Sequence, residues 1–398
     1  MFHSLSPSLL DIRFVGLLVA IGLIRPLIPK GWQTRFGAAA SAALIGFASP
    51  PTLALLGGST LLILYPLSIL IRRSRADGTL KTRGKAVLIA GIVTVVSLWL
   101  LFKLNRSFEL PFVSGTGLSD QLLAVFGFSY SLFKAINYLY MHYLVDIPES
   151  GPARAVYFVL FPPTITSGPI QKYLEFSREV AAPRPLNLES SAYAVFRITQ
   201  GYFYKVCLAA WTWQIAESLL AVPEPKVYHS AGAIAAMYLF YYFDFAGYSH
   251  IAIGFGLVLG IKVPENFRSP FTATSITEFW RHWHITIGDW FRDHVFVPSG
   301  AMRLGGLRAA LLAGAIMVVC GFWHGITWPF LMWGVWHGSM ILLEGVTGSK
   351  PLPPAERHGP RYWGRIAWTN ARVAFGSVFF LPGIGPILHL LGGFITWW

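Results

Sequence analysis

Apolar residues run through this chain in long blocks, not in the polar/apolar alternation of half-buried strands. The blocks cover residues 14–24, 36–49, 53–71, 86–102, 122–143, 155–170, 192–221, 231–263, 307–322, 328–343 and 366–398. Most approach the length that crosses a bilayer, and the gaps between them are too short for a soluble domain. The pattern predicts an all-α polytopic membrane protein with about ten to twelve transmembrane or re-entrant helices. It is read as a single integral-membrane domain over residues 1–398. Block 14–24 lacks a small-residue cleavage signature and reads as a first membrane segment, not a removed signal peptide.

Two blocks depart from plain spans. Residues 155–173 contain Pro162 and Pro163, then Thr164, Thr166, Ser167, Gly168 and Pro169. Backbone this irregular is tolerated at membrane depth only when it is buried in protein or lines a cavity. On a helical wheel through 275–296, Trp280, Trp283, Ile287 and Trp290 fall within about 40 degrees of Ile276. Glu278, Arg281, Asp289, Arg292 and Asp293 take the opposite side. One amphipathic helix is expected, either as an interfacial anchor or over a polar cavity.

Composition confirms the solvent. Hydrophobic residues make up 54% of the chain and charged residues 12%, about half of the ~25% charged in soluble domains. A soluble enzyme, a disordered chain and a nucleic-acid binder are thereby excluded. The formal net charge of +13 is instead a matter of topology. Residues 72–85 hold Arg72, Arg73, Arg75, Lys81, Arg83 and Lys85 against Asp77 alone. Residues 348–372 hold Lys350, Arg357, Arg361, Arg365 and Arg372 against Glu356. Both connections are expected on the cytoplasmic side, with an even number of crossings between them. Cys207 and Cys320 are too few and too far apart for a disulfide framework or a cysteine zinc site.

Ionisable residues inside apolar blocks are costly and mark function by default. His324 lies in Gly321-Phe322-Trp323-His324-Gly325-Ile326-Thr327-Trp328. Burial favours neutral imidazole, the state of a general base, and the flanking glycines are expected to leave room for substrate. A structural histidine bonded to a carbonyl is the alternative. His337, in Trp336-His337-Gly338, is about 20 Å from His324 along a continuous helix, and reads as structural. His282 and His284 point about 200 degrees apart on a helix, so they do not share a metal; none is expected. Of the two, His284 is the better candidate to face a cavity. Asp244, in Tyr241-Tyr242-Phe243-Asp244-Phe245-Ala246-Gly247-Tyr248-Ser249, either ties helices together, orients a catalytic group or meets substrate. Ser167 lacks the Gly-x-Ser-x-Gly setting of a serine nucleophile, and no nucleotide-binding fingerprint is present.

Taken together, the segments resemble the membrane-bound O-acyltransferase family, in its bacterial branch of alginate O-acetylation and D-alanyl transfer proteins. The resemblance rests on Phe161-Pro162-Pro163-Thr164-Ile165-Thr166-Ser167-Gly168-Pro169-Ile170, Phe243-Asp244-Phe245-Ala246-Gly247-Tyr248-Ser249 and Pro264-Glu265-Asn266-Phe267. Its strongest parts are Glu278-Phe279-Trp280-Arg281-His282-Trp283-His284 with Trp290-Phe291-Arg292-Asp293, and Trp323-His324-Gly325 with Trp333-Gly334. These occur in family order over about 122–343, the motif-bearing core.

The resemblance implies helices enclosing a funnel or tunnel in a bacterial cytoplasmic membrane. It places the catalytic histidines at His324 and His284, and substrate contacts at Trp280, Arg281, Trp283, Trp323, Asp244, Asn266 and Ser167. No bound cofactor is implied. The acyl donor would be a cytoplasmic thioester, either a phosphopantetheine carrier protein or acetyl-CoA. The acceptor would be a hydroxyl of an exported glycopolymer or a partner acyltransferase, and the acyl group acetyl or D-alanyl. A polytopic transporter or flippase without acyl transfer would also use broken helices and intramembrane polar residues.

Overall fold

A membrane-embedded backbone must bond to itself, and the apolar blocks do so as helices. The computed structural model describes residues 11–108, 127–147, 151–303, 306–349 and 351–395, with no β-strand among them; the one strand-like pairing is an isolated bridge between Phe267 and Trp283. The chain divides into two compact units, residues 1–199 with 249–264, and residues 200–248 with 265–398.

The first unit contains α1 (Ile12–Ile24), α2 (Lys30–Ala48), α3 (Pro50–Ala76), α4 (Leu80–Asn105), α5 (Phe128–Leu144), α6 (Pro152–Val159), α7 (Tyr173–Ala181) and most of α8 (Leu188–Tyr202). Pro50 sits in the first turn of α3, where its missing N–H costs nothing, and Ser49 caps that turn by accepting from Thr52 N. The expected basic loop 72–85 is only a turn over 77–79. Arg72, Arg73 and Arg75 lie in the last turns of α3, and Lys81 and Arg83 open α4. The block expected from residue 122 is helical from Phe128, its first residues 122–126 lying outside the described ones.

The irregular 160–172 stretch is buried, as the Pro-Pro break suggests, and α5 satisfies it. Lys134 Nζ donates to Phe158 O at 3.1 Å and to Thr164 Oγ1 at 2.9 Å. Thr164 donates to Gln171 Oε1, and Asn137 Oδ1 accepts from Tyr173 N at 2.7 Å. The Phe158 carbonyl, which α6 leaves without an intrahelical partner, thus finds a fully buried lysine.

The second unit contains α9 (Ala210–Leu220), α10 (Val227–Val258) as far as Tyr248, α11 (Ile276–His282), α12 (Ile285–Phe291), α13 (Gly306–His324), α14 (Trp328–Thr347), α15 (Gly359–Gly376) and α16 (Ile384–Gly392). Its core gathers Ala233, Met237, Ile276, Phe279, Val373 and Val378. The expected block 366–398 is split by a 3-10 turn at Ser377–Phe380 and by Gly383, whose φ of 90° suits a residue without a β-carbon; residues 396–398 lie outside the described ones.

Among the described residues, three helices are long and apolar enough to cross a membrane: α3, α4 and α13. In α10 and α14 tyrosine, tryptophan, glycine and histidine dilute the apolar run. Other blocks are short or broken.

Candidate active site

The sequence predicts one helix over 275–296; the structure breaks it at the point that matters. α11 stops at His282, Trp283 is extended, and His284 takes the left-handed conformation at φ 48° and ψ 51° before α12 begins. The cause is the Pro264-Glu265-Asn266-Phe267 motif, which pairs antiparallel with residues 282–285. Arg268 N donates to His282 O at 3.0 Å and Ile285 N to Asn266 O at 2.9 Å, flanking the Phe267–Trp283 bridge. Wheel positions beyond residue 283 therefore do not continue the aromatic stripe of α11. Asp289 and Asp293 both pair with Arg292, and Arg281 is exposed.

The start of α11 is fixed as firmly. The N–H groups of its first three residues, which lack intrahelical partners, are all accounted for. Ile276 N and Thr277 N donate to the carboxylate of Glu344 at 2.7 and 2.9 Å and Glu278 N to Ser275 Oγ, before Phe279 N makes the first helical bond to Ser275 O. Glu278 turns back to Thr274 N and Oγ1, both at 2.8 Å, and pairs with Arg357. Burial raises the Glu278 pKa, but the bonds from Thr274 and Arg357 outweigh it and leave the carboxyl below the ordinary glutamate value. Arg365 donates to Thr274 O, and Arg372 lies 3.7 Å from Glu344. Much of the second basic connection is thus engaged with acids and carbonyls of this unit; Lys350 lies outside the described residues.

Between these anchors sits His284, buried at 5% exposure. Asn266 Oδ1 accepts from Thr286 Oγ1 at 2.7 Å and Thr286 N at 3.3 Å, and lies 3.2 Å from His284 Nδ1. An oxygen that accepts from a backbone N–H is the amide oxygen, so Nδ1 carries the proton and Nε2 the lone pair. Burial, with a smaller contribution from His324, lowers the His284 pKa to about 3 and keeps the ring neutral. The ring of Trp323 links it to His324, whose own ring lies 4.8 Å from that indole. Phe245 meets the His284 ring edge-on at 4.6 Å, and Trp323 lies 6.4 Å away.

His324 ends α13, half-buried among Trp323, Phe330, Trp333 and Phe380 at 4.8, 5.9, 5.1 and 5.4 Å between ring centres. Gly321 and Gly325 do not hold space open for substrate, as the sequence suggests. A β-carbon on Gly321 would collide with Phe330 O, and one on Gly325 would meet the Phe330 ring at 2.5 Å. Gly314 and Gly338 face each other likewise, so small residues let α13 and α14 pack backbone to backbone as an antiparallel hairpin.

That hairpin also shortens the distance between His324 and His337. A continuous helix would separate them; the turn at 325–327 folds α14 back, and His337 packs 4.9 Å from the same Trp333 that contacts His324. Trp280 completes the group, 5.5 Å from Trp333 and 4.9 Å from His337. Its Nε1–H is buried with no hydrogen-bond partner among the described residues. His337 presses so closely on α15 that a β-carbon at Gly376 would clash with Nε2.

Asp244 is tied to Lys205, Nζ to Oδ1 at 2.6 Å, both side chains nearly fully buried. Lys205 lies in a π-helical turn, Phe203–Ala209, and Gly247 lets the two helices close on it. Asp244 stands out in the sequence, whereas Lys205, Glu344, Phe380 and Gly376 emerge only from the structure. Lys205 answers to the same signal as Asp244, an ionisable residue in an apolar block. Ser167 belongs to the first unit and lies in its buried irregular stretch. Among the described residues no three His, Cys, Asp or Glu side chains are grouped to hold a metal.

These features define a helical membrane protein whose second unit gathers two histidines and several indoles around one site. The chain belongs to the membrane-bound O-acyltransferase family, whose family model matches residues 122–381. It is 32% identical over 272 residues to a probable alginate O-acetylase of Pseudomonas putida, covering 68% of this chain and 54% of that protein. To a teichoic acid D-alanyltransferase of Streptococcus thermophilus it is 32% identical over 275 residues, 61% of this chain and 65% of the relative. To a peptidoglycan O-acetyltransferase of Helicobacter pylori it is 34% identical over 187 residues, 46% and 36% of the two chains. The chain spans about half the length of the alginate O-acetylases it matches.

Proposed function

We propose that this protein transfers an acyl group, acetyl or D-alanyl, from a cytoplasmic thioester to a hydroxyl of an exported envelope glycopolymer. The relatives named above acylate alginate, teichoic acid and peptidoglycan, all envelope polymers, which supports the acceptor class. The observation that carries the reading is the histidine pair: His284 held neutral in a left-handed conformation, with His324 beside it in an aromatic enclosure.

His324 takes the hydroxyl proton as the oxygen attacks the thioester carbonyl, and returns it to the departing thiolate. The carbon–sulfur bond breaks, an ester forms, and no net proton is gained or lost. An acyl-enzyme is not needed. His284, with its lone pair on Nε2, is fitted to accept a hydrogen bond from an incoming hydroxyl, not to donate to an oxyanion. The donor role suits Trp280, whose indole N–H is buried in the aromatic group that packs on His324. Asn266 holds His284, and Phe245 and Trp323 wall the ring in. The carrier of the donor is a separate molecule, a phosphopantetheine carrier protein or acetyl-CoA.

The test is transfer of labelled acetyl and labelled D-alanyl groups from these thioesters to envelope polymer by membranes containing the protein. Transfer of either label above that of protein-free membranes supports the reading. Transfer of neither, with the protein inserted, contradicts it and favours a transporter.

A further inference from the structure

The transfer step uses neither member of the Lys205–Asp244 pair, yet few contacts in the second unit are so costly to build. Nζ donates to Oδ1 at 2.6 Å, and the two side chains keep only 4% and 11% of their exposure. Burying two charges carries a desolvation penalty that their attraction barely offsets, and well-packed apolar side chains often hold helices together as well or better. What apolar contacts lack is direction. A charge-assisted hydrogen bond fixes both the distance and the angle between its ends, so it sets how one helix sits against another.

Both ends of the pair are tied to backbone that has little freedom to move. Lys205 lies in the π-helical turn Phe203–Ala209, an irregularity that recurs at functional sites. Gly247 seats against that turn: a β-carbon there would stand 2.8 Å from Gly201 O and 2.9 Å from Lys205 N. On α10, Tyr241, Asp244, Phe245 and Tyr248 are spaced i, i+3, i+4 and i+7, and share one helix face. Tyr248 presents its ring to Lys205 Nζ at 5.9 Å. Tyr241 and Phe245 lead to the histidines. Tyr241 packs on Phe380 at 4.9 Å, and Phe380 packs on His324 at 5.4 Å. Phe245 meets His284 edge-on at 4.6 Å and Phe267 at 5.2 Å, and Phe267 is bridged to Trp283 where α11 ends. Rotation of α10 about its axis therefore moves the supports of both rings together.

We infer that Lys205 and Asp244 are a positioning pair for the two histidines, fixing the rotation of α10 and with it the support that Tyr241 and Phe245 give to His324 and His284. The inference rests on the acyl-transfer reading above and adds to it two residues that act through their neighbours. Asp244, which the family resemblance implies as a substrate contact, has its work in this arrangement on the protein side of the wall. A displacement of about 1 Å at a reacting group costs about a hundredfold in rate, so a small rotation registers in turnover before it registers in folding.

The experiment compares the full chain in nanodiscs with two variants, Lys205→Met/Asp244→Asn and Lys205→Arg. Transfer of labelled acyl groups gives kcat and KM per folded protein, with the folded fraction read by gel filtration. The double variant leaves no charge unpaired and is expected to lose about tenfold to a hundredfold in kcat with KM little changed. Lys205→Arg keeps a cation opposite Asp244 and is expected to retain a larger share of kcat. Nitrogen NMR of isotope-labelled histidine rings, assigned from spectra of His284→Ala and His324→Ala, is expected to show both resonances shifted in the double variant. That readout needs no turnover. Failure of the acyl-transfer reading, in which the unmodified protein transfers neither label, is thus separate from failure of the inference. The inference is overturned if the double variant has the unmodified kcat per folded protein, or if both ring resonances are unchanged. A loss confined to KM overturns it as well and assigns the pair to substrate binding.

Discussion

His284 holds a backbone conformation that costs a residue with a β-carbon about 1–3 kcal/mol, and such strain persists only where the surroundings over-determine it. Here they do so through Asn266, whose side chain meets both His284 and Thr286 while its backbone pairs with Ile285. Asn266→Ala should therefore leave the protein inserted but cut turnover by roughly tenfold or more, the scale of losing an oriented catalytic group. Asn266→Asp, which keeps an acceptor for the same donors, should retain more of the rate; acyl transfer by membranes of equal protein content measures both. The sequence identifies His324 because a polar side chain stands out against an apolar background, His284 through its position on the helical wheel and the family resemblance, and Asn266 through the resemblance alone. It does not reveal that His284 breaks its helix, because a helical wheel assumes the regularity that the pairing with 266–268 abolishes. The glycines beside His324 mislead for a related reason: a missing side chain reads as open space until the neighbouring helix is known.

At the scale of elements, α13 and α14 owe their close approach to facing glycines. Gly321→Ala forces a methyl group against Phe330 O and should destabilise the second unit by about 1–3 kcal/mol, read as a lower melting temperature in detergent. The Lys205–Asp244 pair gives a different signature. Lys205→Met alone leaves a buried carboxylate without its cation and should cost about 3–5 kcal/mol, whereas Lys205→Met with Asp244→Asn should recover most of it. A pH effect belongs to α11. Glu278 has its pKa lowered in the folded protein, so its stabilising contribution is present above the ordinary glutamate pKa and disappears as pH falls through the lower folded value. Thermal stability should drop over that acid range, and Glu278→Gln should flatten the drop. Helix identity is legible from the long apolar runs, and the buried irregular stretch at 160–172 from its prolines. The basic segments were less so: as a charge count, 72–85 resembles a loop, yet arginines at the end of α3 extend that helix. In the other segment, Arg357, Arg365 and Arg372 face acids or carbonyls supplied by distant residues.

For the molecule as a whole, the apolar composition specifies the solvent and the order of motifs specifies the family. The family match reaches residue 381, past the core expected to end near 343, and the structure gives a reason: Phe380 packs on His324, and Gly376 admits His337. The site draws on residues from Phe245 to Phe380, separated by long stretches of chain, so no local window of sequence contains it. What unites them is the proposed path of one proton, from an acceptor hydroxyl to His324 and on to a thiolate. The most direct measurement is the ester-linked acyl content of exported polymer in cells carrying His324→Ala, with membrane levels of the protein matched to the unmodified form. The account predicts a loss of at least about a hundredfold in transfer rate, the lower bound for removing a general base. Acylation at the unmodified rate, with the variant inserted and abundant, would contradict it.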